Sequence, residues 1–145
     1  MHLIICVEIK ITVVTENQIT QQILDTSIKI HKDLGPGLLE SVYEACLYSG
    51  LFKRGLYIER QKPVPLVYKD VKLECGFRAD LVVEKKVVVE VKSVEALNEI
   101  HLMQVITHLR LLDLRVGLLM NFNVVRLKEG VKRVVNNYQD VQRLI

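Results

Sequence analysis

Cysteine is scarce and unpaired in this chain. Cys6, Cys46 and Cys75 are odd in number and far apart, which excludes a disulfide framework and the close pairs of a cysteine zinc site. They are expected to be reduced thiols in the core. His2, His31, His101 and His108 are equally scattered, and only the last two share a predicted helix, so zinc is not expected. Aromatic residues make up only 6%, which gives no sign of a stacking platform for single-stranded bases. Charge of one sign is not in excess either. Lys+Arg 20 against Asp+Glu 17 gives a formal net charge of +3, too little to announce a nucleic-acid partner. No apolar run reaches the roughly 18–20 residues of a membrane helix. The run from Leu3 to Val14 carries Glu8 and Lys10 and has no basic leader. It makes a poor secretory signal, and a cytoplasmic location is the default expectation. No glycine-rich phosphate loop follows a strand and no Gly-x-Ser-x-Gly elbow occurs, which argues against P-loop hydrolysis and serine esterase chemistry.

What is present is enough apolar material for a core. The 145 residues are 50% hydrophobic and 26% charged, a balance that excludes disorder. Residues 1–14 read as an N-terminal extension, a possible strand or arm, and residues 15–145 as a single domain. No repeat or low-complexity tract divides them.

Helical spacing of Ile19, Ile23, Ser27 and Ile30, widened by Leu24 and Ile28, predicts a helix to about Leu34, capped by Thr15 or Asn17. Gly35-Pro36-Gly37 stops it, and a second helix is expected to start there. Leu38, Leu39, Val42, Ala45, Cys46 and Phe52 supply its apolar face, Gly50 weakens its last turns, and Gly55 ends it. Pro63 and Pro65 introduce a short edge-like strand, Leu66 to Tyr68, which turns at Lys69-Asp70 into a second strand from Val71. Phe77 to Val83 and Val87 to Val91 form a hairpin across Glu84-Lys85-Lys86. Glu95 to Leu112 is helical, Val116 to Phe122 is a last apolar strand, and a basic, partly helical tail follows from Arg126.

The hairpin carries the candidate chemistry. Side chains alternate along a strand, so Glu90 and Lys92 share one face while Val87, Val89 and Val91 take the other. With a three-residue turn, residue 83 faces 87 and Asp80 lies across from Glu90. Like charges so placed repel, and a divalent cation between them would offset the repulsion. Lys92 would be an ammonium beside that cation, able to steer a water or contact a phosphate. Two alternatives stand beside this one. Asp80, Glu90 and Lys92 could be solvated surface charges, and a two-residue turn would place Asp80 and Glu90 on opposite faces.

Asp80 followed by Glu90-Val91-Lys92 resembles the PD-(D/E)XK nuclease signature. Leu34-Gly35-Pro36-Gly37-Leu38-Leu39-Glu40-Ser41-Val42-Tyr43 resembles the motif that names the GxxExxY proteins, a branch of that superfamily, with Gly37, Glu40 and Tyr43 in order. The resemblance continues through Gln61-Lys62-Pro63, Gly76 to Leu81, Gln104 and Gly117 to Asn123, and spans about residues 17–135. It implies an α/β fold of α+β character, a restriction-endonuclease-like core in which helices flank a mixed sheet with an antiparallel hairpin. It further implies a metal-dependent nuclease in which Asp80 and Glu90 bind Mg2+ or Mn2+, Lys92 assists the attacking water and Glu40 completes the acidic cluster. Spacing by threes puts Gly37, Glu40 and Tyr43 on one side of a helix, where a small residue would let that helix approach the sheet.

Related RecB-like nucleases carry a glutamine followed four residues later by tyrosine. Gln104 matches that pattern as an active-site residue, while His108 departs from it. One turn apart, Gln104 and His108 share a helix face, and His101 could line the same cleft. His108 could bond a phosphate or a metal-holding carboxylate, although a lone histidine on a half-apolar helix is more often structural. The expected partner is nucleic acid, DNA ahead of RNA, with no membrane and with a homodimer or protein partner to help hold substrate. Lys53, Arg54, Arg60 and Lys62, or Arg126, Lys128, Lys132 and Arg133, could track phosphates. The rival functions are a non-catalytic module binding nucleic acid or protein, and a structural subunit whose N-terminal arm joins a neighbour's sheet.

Overall fold

A computed structural model describes residues 14–136. Of the extension read over residues 1–14, all but Val14 lies outside the described residues, as do the tail beyond Asn136, Cys6 and the side chain of Cys75. Helix α1 (Glu16–Leu34) is capped by Thr15, whose hydroxyl accepts from Gln18 N while the Gln18 side chain accepts from Thr15 N. Asn17, the other candidate cap, instead accepts from Arg133. Helix α2 (Glu40–Lys53) is followed by strands β1 (Ile58–Tyr68), β2 (Val71–Val83) and β3 (Val87–Lys92). Helix α3 (Glu99–Leu112), strand β4 (Val116–Asn121), a 3-10 turn (Leu127–Gly130) and strand β5 (Val131–Val135) complete the order.

The five strands of the described residues lie in one sheet in chain order. β1, β2 and β3 pair antiparallel, β3 and β4 pair parallel, and β5 returns antiparallel to β4. This is the mixed sheet with an antiparallel hairpin, flanked by helices, that the sequence predicts. α1 and α2 cover one face through Ile19, Ile23, Tyr43, Leu47 and Leu51, packed on Val87, Val89, Val91, Leu118 and Met120. α3 covers the other through Val105 and Leu109 on Val82, Val88 and Leu119. Central β3 is thus buried on both sides, which explains its run of valines.

Several expected details change. α2 starts at Glu40, after Leu39 in extended backbone, rather than at the glycines. Gly35 (φ +69°) and Gly37 (φ +97°) shape a loop before it, and nothing lies within 4 Å of where either Cβ would be. Gly37 therefore provides left-handed backbone, not close approach to the sheet. The buried side of α2 is Tyr43, Glu44, Leu47 and Leu51; of the expected apolar face, Leu38, Leu39, Val42 and Phe52 are exposed and Ala45 and Cys46 half-buried. Apolar residues surround this helix, so periodicity alone does not select the packed side. Gly50 is where the two helices meet: a Cβ there would come within 2.6 Å of Thr26 Cγ2. Its lost helix propensity is offset by that close approach. Cys46 is a free thiol, half-buried rather than in the core.

β1 runs unbroken through Pro63 and Pro65, which the sheet tolerates because β1 is its edge among the described residues, with a register shift between Val64 and Leu66. β2 is one strand from Val71, not a short strand followed by a separate one. The basic tail forms β5 after the 3-10 turn, because the open edge of β4 is there to pair with it.

Tyr43 latches the glycine loop. Its hydroxyl donates to Gly35 O at 2.6 Å and accepts from Leu38 N at 3.1 Å, while its ring stacks on Phe122 with centroids 4.5 Å apart. Tyr43→Phe keeps the stack and orphans both backbone groups. It is expected to cost about 1–2 kcal/mol, read as a lower urea midpoint at unchanged slope; an unmoved midpoint would show that the loop is held without the latch.

Candidate active site

The hairpin register settles the geometry left open by the sequence. Val83 pairs with Val87, Val82 with Val88 and Leu81 with Val89. The turn therefore uses three residues, Glu84, Lys85 and Lys86, the first two with φ of 54° and 55°. Extended by one position, this register sets Asp80 against Glu90. Alternation along β3 turns Glu90 and Lys92 toward α3.

Glu90 is only 5% exposed, in a strand otherwise filled with valine. Burying a carboxylate this deeply requires hydrogen-bond partners. His108 supplies one from α3: its Nδ1 lies 2.7 Å from Glu90 Oε1. A carboxylate oxygen can only accept, so the proton sits on Nδ1. Asp80 Oδ2 accepts from Val91 N at 2.8 Å, and Asp80 Oδ1 accepts from Gln61 Nε2 at 3.3 Å. Burial pushes the Asp80 carboxyl up to about 7, with a further push from the Glu90 charge. A hydrogen bond between the two carboxyls also favours the protonated acid, while the Val91 amide and the Lys92 ammonium oppose the rise. The structure has paired two acids at a cost.

Asp80, Glu90, Lys92, Gln104 and His108 line one open cleft of about 450 Å³ between β2, β3 and α3. Arg78 and Thr107 join its polar side. Four of the five site residues expected from sequence are thereby brought together. Glu40 is not. It is exposed at the start of α2, and its Oε1 accepts from Ser93 N at 3.1 Å. Beside it, Ser93 Oγ donates to Leu38 O at 2.6 Å, so this segment is stitched to the residue that follows Lys92. Among the described residues, no group of three or more Asp, Glu, His or Cys side chains gathers to hold a metal. His101 does not line the cleft either; its side chain accepts from Asn98 N and completes the cap of α3.

The two carboxylates nevertheless suit a divalent cation. Mg2+ is commonly held by one or two carboxylates and keeps several waters. Close acid pairing, with one carboxyl pushed up by burial and then by the other's charge, is the electrostatic state that a cation would relieve.

Sequence reasoning missed Glu44. This buried carboxylate accepts from Arg60 Nε at 3.1 Å and from Gln61 Nε2. Gln61, at φ +50° on β1, therefore places one amide between Glu44 and Asp80. A signal existed: Glu44 falls three and seven residues before Leu47 and Leu51, a charge on the buried stripe. Three of the eight residues in the expected basic clusters are engaged. Arg60 pairs with Glu44, Lys62 pairs with Glu59, and Arg133 bonds Asn17 and Thr20 on α1. The cations of the cleft are instead Arg78 and Lys92.

A family model described as the PD-(D/E)XK nuclease superfamily matches residues 17–134. The chain belongs to the PD-(D/E)XK nuclease superfamily. No curated protein and no solved structure matches the chain. Nucleases of this superfamily generally use divalent metal ions, in keeping with the paired carboxylates at 80 and 90. A superfamily nuclease acts on nucleic acid, and among the described residues no helix is long and apolar enough to cross a membrane.

Proposed function

We propose that this chain is a cytoplasmic, metal-dependent nuclease of the GxxExxY branch, contained in a single domain over residues 15–145. It hydrolyses phosphodiester bonds with Mg2+ or Mn2+, and DNA is the first substrate to test, RNA the second. The observation that carries the reading is the meeting of Asp80, Glu90 and Lys92 in one cleft.

Asp80 and Glu90 would hold the cation. When bound, it supplies positive charge against the phosphate and acidity to a nearby water. The chain's own groups do the rest. Lys92 donates to the attacking water and orients it, and its ammonium offsets negative charge developing on the phosphate. His108 fixes the direction in which Glu90 presents its free oxygen. Gln61 and Val91 N hold Asp80 from two sides. Gln104, exposed on α3 at the cleft, contacts the strand beside the scissile phosphate. Glu40 anchors Ser93 and so the end of the strand that carries Lys92.

The rival, a binding module that kept the fold, draws support from Glu40, which stays outside the acid pair. Calorimetric titration with Mg2+ and Mn2+ of the native protein beside Asp80→Ala, together with cleavage assays on DNA and RNA, separates the two. The expected result is metal binding and metal-dependent cleavage, both lost in the variant. Native protein that binds neither metal and cuts neither polymer would leave the binding module.

A further inference from the structure

The cleft has a second wall that the proposed chemistry does not use. Phe77, Ile100 and Met103 line it together with the charged groups, and they are 43%, 65% and 48% exposed. Ile100 and Met103 are three residues apart on the first turns of α3 and therefore share a side. The Phe77 ring is held by His108, with centroids 5.8 Å apart. Large exposed apolar side chains gathered in one cleft with charged groups mark a surface meant to be covered.

We infer that this wall seats an unstacked nucleobase of a single strand while the adjoining phosphate lies at Asp80, Glu90 and Lys92. The inference rests on the nuclease reading and names its substrate class. A phosphate at the acid pair has a sugar and a base on either side, so the wall beside it meets one of them. In a duplex, base faces are covered by their stacked neighbours, and the wall would meet only the charged backbone. An unpaired strand offers a base face, whose contact with aromatic and apolar groups is favourable and tolerant of sequence. The wall has no donors or acceptors with which to read base edges, so recognition is by strandedness rather than sequence. Charge complementarity agrees. Lys92 and Arg78 sit on the polar side, and neither takes part in the ion pairs of the described residues. Their cations suit the phosphates on either side of the seated base. The low aromatic content hid this feature, because two of the three members are aliphatic.

The test is fluorescence anisotropy with a labelled oligothymidylate, an abasic strand of equal length and a blunt duplex, without divalent metal. It uses the Asp80→Asn background, in which nothing is cut and one repelling charge is gone. The oligothymidylate is expected to bind roughly tenfold tighter than either competitor. Adding Ile100→Ser and Met103→Ser, in protein of unchanged circular dichroism, is expected to lower its affinity to that of the abasic strand. Equal affinity for the three probes, or indifference to the double substitution, would overturn the base platform. Lys92-dependent cleavage without base preference sinks the platform alone; base preference in a protein that never cleaves sinks the nuclease reading and leaves the platform.

Discussion

Lys92→Ala is expected to abolish metal-dependent cleavage, lowering kcat by about a thousandfold or more, while the protein folds as before. The fold should survive because Lys92 is the last, half-buried residue of β3 and joins no ion pair among the described residues. The diagnostic half of the experiment is metal affinity. The Lys92 ammonium works against the rise at Asp80, so it also repels a cation held there. Its removal should leave Mg2+ or Mn2+ binding intact or tighter even as turnover disappears. Single-turnover kinetics and calorimetry on the same preparation read both quantities. A lysine present only to neutralise two acids would behave differently: cleavage would persist, and thermal stability would fall instead.

Asp80→Asn should make the metal-free protein more stable, and the gain should depend on pH. The Asp80 carboxyl titrates near 3.8 in an unfolded chain and is pushed up to about 7 when folded. Below 3.8 both states hold the proton, and the residue costs nothing. Between 3.8 and 7 the unfolded chain has lost its proton while the folded chain keeps it, so stability falls as pH rises. Above 7 the loss is complete and constant. Asparagine mimics the protonated acid and escapes the slope. The variant should match the native protein near pH 4 and exceed it by about 2–4 kcal/mol at pH 8. Urea midpoints in a chelator at the two pH values give the comparison. Adding Mg2+ or Mn2+ at pH 8 should raise the native midpoint and leave the variant unmoved, because a cation stabilises the ionised acid. If the native and variant curves run parallel from pH 4 to 8, neither burial nor the Glu90 charge raises the Asp80 carboxyl.

Both expectations arise from the same local decision. An acid pair with one member buried and the other half-buried is destabilising on its own, yet Val91 N, Gln61 and His108 are arranged to hold it in place. Stability surrendered at a site, and supported from the surrounding elements, is a common mark of function over folding.

Residue order alone determined a good deal. Period-two alternation forces Glu90 and Lys92 onto one face and the valines onto the other, whatever the rest of the chain does. The valine run, buried on both sides, and the helical spacing of Ile19, Ile23 and Ser27 likewise fixed which segments become strand and helix. Tertiary structure decided what local pattern leaves degenerate. A hairpin of two or three turn residues reverses the parity of every later pair, and only the Val83 to Val87 register set Asp80 against Glu90. α2 is apolar nearly all round, so its contacts with α1 and the sheet, not its period, chose Tyr43, Leu47 and Leu51 and drew Glu44 inward. The fates of Glu40 and His108 were decided in the same way. One bonds the backbone after β3 and the other reaches Glu90, whereas His101 caps its own helix at a local spacing of three. Glu40 and His108 each took the partner that distant segments brought within hydrogen-bond reach, a distance that no spacing along the chain encodes.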